Sequence, residues 1–380
     1  MRLIKTEDAV GSVLCHDITQ IIKGVTKDAV FRKGHIVAEE DIPVLLSVGK
    51  EQLYIWDNDE TMLHENEAAE ILCSICLNDN MKRSRVKEGK IELTAECSGL
   101  FKIRRDKLKA INSLGQMMIA SRHGDTAVRA GDKLLGTRII PLVIPMDSMD
   151  KAKEAAGGEP IFSLLPFTLK KAGIVTTGNE VYRGRIADTF TPVIIQKLKD
   201  YNAEVTGHIT LPDEPERITK AIIELIENGA ELVCCTGGMS VDPDDQTPLA
   251  IKNTGAHIVS YGAPVLPGAM FLLAYYEYGG RTVPIVGLPG CVMYAERTIF
   301  DLILPRLMAE DPVTPEDLAS LGEGGLCLSC PVCTFPNCGF GKGVKQWNSL
   351  ILTKTEKLSW LMSAEKKIPY VKHRQAEGSL

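Results

Sequence analysis

From residue 171 to about 310, short strand-like apolar runs alternate with stretches in which apolar residues return every three or four positions. That alternation predicts a parallel sheet with helices on both faces. Residues 173–177 (GIVTT) read as a buried strand, and Pro192 opens a helix with Val193, Ile194, Ile195 and Leu198 inward. Residues 203–209 read as the next strand. A helix follows from about Glu214, with Ile218, Ala221, Ile222, Leu225 and Ile226 on one face, and Asn228-Gly229 ends it. Residues 231–235 (ELVCC) form a third strand, further strands are expected near 257–260, 270–275 and 283–286, and one long amphipathic helix is expected over 291–308.

Residues 1–165 show shorter alternating segments, Gly-rich turns and isolated helices such as 40–48, which reads as an α+β region. The small, polar stretch 148–160, containing MDKAKEAAGGEP, reads as the linker between the halves. The pattern therefore divides the chain into an N-terminal α+β region (1–165), a three-layer doubly wound α/β domain (171–310), a Cys-rich segment (322–342) and a tail (343–380).

At 380 residues the chain is long enough for two or more domains. With 43 Lys and Arg against 49 Asp and Glu its formal charge is −6, which argues against a nucleic-acid binder built on counterion release. Charges interrupt every apolar run near the start, and no run reaches the roughly 18 residues of a membrane span, so a cytoplasmic protein with no membrane partner is expected. The stretch 342–380 is basic, with eight Lys and Arg against three Glu.

Ligands of such sheets bind beyond the carboxyl ends of the strands, and three loops there gather small, hydroxyl and acidic residues. The first carries Thr177, Gly178, Glu180 and Asp188. The second carries Thr236, Gly237, Gly238 and Ser240, then Asp242, Asp244 and Asp245. The third carries Gly287, Pro289 and Gly290. Paired glycines let backbone N–H groups approach a phosphate, and carboxylates could set Mg²⁺ against it. Each loop also reads as an ordinary turn with acidic helix caps.

The ordered series TGNEV, GRIADT, TGGMSV followed by Asp245, VLPG and GLPG resembles the molybdopterin-binding domain of molybdenum-cofactor biosynthesis proteins. In the N-terminal half, AVGSVLCHDIT, FRKGHIVAEEDIPVLLSVGK and GTRIIPLVI resemble the molybdopterin molybdenumtransferase-like members. The resemblance implies a domain that binds the pterin phosphate, and enzymatic members insert molybdate into adenylated molybdopterin with Mg²⁺. Carried onto this chain, it assigns pterin binding to Thr177, Gly178, Thr236, Gly237, Gly238, Ser240, Pro267, Gly268, Leu288, Pro289 and Gly290. It assigns chemistry to Asp188, Asp245 and Glu180. It also implies a homodimer and a molybdoenzyme client.

Four positions depart from the family pattern. Asn179 replaces an acidic residue, Phe190 replaces an amide, and Cys291-Val292 replaces Asn-Pro. A lost carboxylate touches transfer more than binding, so a non-catalytic cofactor carrier stands beside the transferase. A nucleotide pyrophosphatase, as in competence-damage-inducible relatives, is the third alternative.

Cys327, Cys330, Cys333 and Cys338 follow a C-x2-C-x2-C-x4-C spacing. Four thiolates so close can wrap one metal centre, either an Fe–S cluster or zinc, and the alternative is a set of reduced, unliganded thiols.

Overall fold

The structure is a computed structural model describing residues 2–22, 26–55, 61–240 and 242–343. The basic stretch 344–380 lies outside the described residues. The chain divides into two compact units, one of residues 1–97, 103–122 and 129–164 and one of 98–102, 123–128 and 165–380. No helix among the described residues is long and apolar enough to cross a membrane.

In the first unit the strands Ile18–Ile22 and Thr26–Phe31 pair antiparallel, and Arg2–Lys5 pairs with Gln52–Ile55. Leu14, Ile18, Val37, Leu45 and Leu53 make a small core beside them. A four-stranded antiparallel sheet follows, ordered Met81–Arg83, Ile91–Ala95, Lys133–Ile139, Met117–Ser121. The helix Glu65–Cys76 packs on it. The stretch expected to be a linker is instead the helix Met146–Ala156, ended by Gly157 in the left-handed conformation. Met149, Ala152 and Ala156 are its buried positions, and their spacing of three and four is a helical stripe that small residues disguise.

The second unit is built on a six-stranded sheet, whose elements are labelled here from Lys171 onward. Its strands are β1 (Lys171–Thr177), β2 (Glu204–Leu211), β3 (Leu232–Thr236), β4 (His257–Tyr261), β5 (Leu272–Tyr278) and β6 (Arg281–Leu288). Their order is β2-β1-β3-β6-β5-β4. The first four strands across the sheet are parallel, β5 runs antiparallel to its neighbours β6 and β4, and β4 thereby returns to the direction of the first four, so the sheet is mixed. The cause is visible in the chain: Gly279 and Gly280, both at positive φ, make a two-residue turn between β5 and β6. So short a connection joins only antiparallel strands.

Helices cover both faces. The helices α1 (Phe190–Lys199) and α4 (Ile299–Met308) supply Ile194, Leu198, Phe300 and Leu304 to a core with Ile174, Cys234, Leu273 and Val286. On the other face, α2 (Pro215–Glu227) and α3 (Thr247–Asn253) bring Ile222, Leu225 and Ile251 against Val175, Cys235, Leu272 and Ile285. Adjacent residues such as Cys234 and Cys235 enter opposite cores because strand side chains alternate. The expected long helix over 291–308 is divided. Gly290–Met293 is a 3₁₀ turn, and α4 starts afresh at Ile299, where Thr298 and Asp301 form a reciprocal cap.

Candidate functional site

The strands β1, β3 and β6 are parallel and end at Thr177, Thr236 and Leu288, so the three loops leave the same sheet edge. Several glycines in and around them are packed too closely to carry side chains. Gly238, at φ +55°, leaves a built Cβ 2.9 Å from Thr247 Oγ1, and at Gly287 it would stand 2.5 Å from Met239 Cε. Gly268, at φ +127°, faces Ile299 in the same way. From the sheet's far edge, the Tyr261 hydroxyl donates to the Met239 carbonyl at 2.9 Å and holds the second loop.

The second and third loops, with residues 266–270 and Phe190 at the start of α1, line a cavity of about 490 Å³, within the usual range for a small-molecule site. Of the expected residues, Gly237, Gly238, Ser240, Asp245, Pro267, Gly268, Leu288, Pro289 and Gly290 line it. Thr177 and Thr236 are buried behind the loops, and Gly178, Glu180 and Asp188 lie outside the lining. Phe190, Met239, Leu266 and Tyr294 complete much of the wall, which is mainly apolar. Among the described lining residues there is no lysine or arginine.

The carboxylates are engaged locally. Asp245 Oδ2 accepts the Ser240 N–H at 2.6 Å and closes the second loop on itself. Asp188 Oδ1 accepts the N–H groups of Phe190 and Thr191 at 2.9 and 3.0 Å, and its Oδ2 accepts the Thr191 hydroxyl at 2.5 Å. Burial works against its ionisation, but these hydrogen bonds and His208 outweigh it and hold the carboxyl below its ordinary range. Behind it, Thr176 Oγ1 lies 3.0 Å from both Thr191 Oγ1 and His208 Nε2 and 3.3 Å from Thr236 Oγ1. This buried hydroxyl chain joins the first loop to the second.

Asp213, just past β2 and outside the cavity lining, braces the first loop and was missed by sequence reasoning. It accepts the Asn179 N–H at 3.0 Å and a hydrogen bond from the Thr177 side chain. Burial pushes its carboxyl up, and the charges of Glu180 and Asp245 add to the effect. In the sequence it looks like a residue before a helix, and only its place at a strand's carboxyl end signals more.

Neither expected metal centre is assembled. Among the described residues no group of three or more His, Cys, Asp or Glu side chains is placed to hold a metal ion. At the sheet edge Asp188 and Asp245 each accept backbone N–H groups of their own loops. The four clustered thiols are likewise drawn apart. Cys327 and Cys338 rest with Phe335 against the α1/α4 core, Cys333 hydrogen-bonds Arg297, and Cys330 is exposed.

Residues 173–309 match the family described as "Probable molybdopterin binding domain", and residues 3–57 match a domain of unknown function, DUF8806. The chain is 27% identical over 193 residues to a molybdopterin molybdenumtransferase of Synechococcus elongatus, covering 48% of this chain and 45% of that protein. It is 34% identical over 85 residues to a molybdenum cofactor biosynthesis bifunctional protein of the same organism, covering 22% and 27%. To a CinA-like protein of Fervidobacterium nodosum it is 34% identical over 86 residues, covering 23% and 21%. The chain thus spans less than half the length of these curated relatives. Among solved structures, the tungsten cofactor synthesizing protein MoaB of Pyrococcus furiosus aligns at TM-score 0.29 and 21% identity, covering 38% of this chain and 89% of that one. The motif series at one sheet edge and the family match agree: the second unit carries, at residues 173–309, a molybdopterin-binding domain of the molybdenum-cofactor biosynthesis family.

Proposed function

We propose that this protein binds molybdopterin, free or adenylated, in the cavity at the carboxyl edge of the sheet, and passes it on within cofactor biosynthesis. The observation that carries this reading is the cavity itself, about 490 Å³ and walled by Gly237, Gly238, Pro267, Gly268, Pro289 and Gly290. Gly237 and Gly238 offer backbone N–H groups with no side chain to keep a phosphate away. The apolar remainder suits the ring system. The carboxylates Asp188 and Asp245 position loop backbone in this reading, so the protein acts as a carrier of the cofactor precursor toward a molybdoenzyme.

Molybdate insertion is the competing activity, and one incubation separates the two. Purified protein is mixed anaerobically with adenylated molybdopterin, molybdate and Mg²⁺, and bound pterin and released AMP are both measured. Retention of pterin by the protein without AMP release is the expected result. Stoichiometric AMP release with cofactor formation would make it a transferase. Absence of pterin binding would overturn the reading.

A further inference from the structure

We propose that Phe190 and Tyr294 form an aromatic platform at the mouth of this cavity that stacks a planar heteroaromatic ring carried on a phosphate. This deepens the reading above and rests on it for the place of the phosphate. Both side chains line the same cavity as Gly237 and Gly238. Phe190 is half-buried and anchored on the α1/α4 core, so its ring is held in place. Tyr294 follows the 3₁₀ turn Gly290–Met293 and is 78% exposed, unusually open for a residue that ordinarily covers much of its ring. An exposed aromatic at a concave apolar site is a surface on which a second ring can be stacked.

The electrostatics of the wall strengthen the inference. No lysine or arginine occurs among the described lining residues, and Asp245 adds a carboxylate. A bare phosphate would therefore be held by backbone dipoles and the Ser240 hydroxyl, with no cationic side chain in the described lining, while facing a negative charge. The ring must then supply much of the affinity, because stacking and apolar burial are indifferent to that charge. Base–aromatic stacking is strong enough for the task. Pterin and adenine share the required chemistry, a flat nitrogen heterocycle linked to a phosphate, and they are separated by the test.

Binding is measured for three probes: molybdopterin under anaerobic conditions, AMP, and ribose 5-phosphate, which has the phosphate without a ring. The chain as it stands, Tyr294→Ala and Phe190→Leu are compared, with thermal unfolding as the control. At least one ring-bearing probe should bind at least about tenfold more tightly than ribose 5-phosphate. Its ring fluorescence or absorbance should change on binding, as stacking requires. Tyr294→Ala, at an exposed position, should keep the fold, weaken that probe by about tenfold and remove part of the spectral change, leaving ribose 5-phosphate unaffected. Phe190→Leu should act in the same direction. Preference for AMP over molybdopterin would support the platform while contradicting the pterin reading. Tight molybdopterin binding unchanged in Tyr294→Ala would overturn the platform while leaving that reading intact. Equal binding of ringed and ringless probes, or no binding of either ringed probe, would also overturn it.

Discussion

Gly237, at φ +82°, lies against Thr177 so closely that a side chain there would collide with the Thr177 carbonyl oxygen and bring its Cβ 2.8 Å from Thr177 Oγ1. The glycine pair of the second loop is thus required by the packing of one loop backbone on another, before any ligand is considered. Gly290 differs: its φ is not in the left-handed region and a Cβ would meet nothing within 4 Å. Gly237→Ala should cost at least about 2 kcal/mol, combining a strained backbone with a clash that neither strand can relieve. Gly290→Ala should stay within about 0.5 kcal/mol. Urea unfolding of both variants checks this, and a loss of molybdopterin affinity confined to Gly290→Ala would mark close ligand approach at the third loop.

Asp188 and Asp213 should give opposite dependences of stability on pH. The Asp188 carboxyl is held below its ordinary value of 3.8, so it contributes stability above that pH and loses the contribution as pH falls through its folded value. Asp188→Asn keeps an acceptor oxygen but loses the charge, so it should cost about 1 kcal/mol at pH 7 and progressively less as pH falls below 3.8. The Asp213 carboxyl is raised by burial and by Glu180 and Asp245, so its ionised form is a burden above its folded value and none below 3.8. Asp213→Asn keeps an acceptor for the Asn179 N–H and should raise the urea midpoint at pH 7, with no gain at pH 3. A destabilised Asp213→Asn at pH 7 would show that the charge itself is needed to hold the first loop.

The contrast between these carboxylates also marks what the sequence could reveal. The helical stripe Ile218, Ala221, Ile222, Leu225 and Ile226 is strong, and the structure buries all five on α2. Gly237-Gly238 after a strand was legible for the same reason, since turn chemistry is local. Asp213 was not, because its importance comes from Asn179 and Gly238, which reach it only across the sheet edge. The helix Met146–Ala156 was hidden by its alanines, which are compatible with linker and helix alike. The hairpin turn at Gly279-Gly280 carried a readable signal that was outweighed by the regular alternation around it.

Lys102 illustrates a contact no local pattern discloses. It lies in the strand Gly99–Ile103, far along the chain from α4, yet its Nζ is 2.9 Å from Asp125 and 2.8 Å from Asp311. Asp311 also accepts from Arg306 Nε at 2.5 Å, and Arg306 Nη1 is 3.0 Å from Asp317. Burial of Lys102 alone would favour its neutral form, but the charges of Asp125 and Asp311 prevail and push its pKa up. Removing one member of a buried network strands the others without a counter-charge. Lys102→Met should cost about 3–5 kcal/mol at pH 7, read by urea unfolding. A cost below about 1 kcal/mol would mean that water reaches Asp125 and Asp311.

The four clustered cysteines should react as separate thiols, because the structure gives each a different environment. Cys330 is exposed, whereas Cys327 and Cys338 rest against the core beside Phe335. Cys333 hydrogen-bonds Arg297, whose guanidinium also lies over the Phe335 ring at 5.1 Å. Cys234 and Cys235 are fully buried in strand β3, and burial pushes the Cys234 thiol up to about 12. A thiolate is the reactive form, so both access and ionisation disfavour that pair. Alkylation of the native protein should label Cys330 first, Cys327, Cys333 and Cys338 more slowly, and Cys234 and Cys235 only after denaturation. Mass spectrometry of timed samples gives the order. Addition of Zn²⁺, or anaerobic Fe²⁺ with sulfide, should leave Cys330 labelling unchanged, since the thiols do not converge. Simultaneous protection of all four with one metal centre per chain would instead require the segment to leave its packing on Phe335 and refold around the metal.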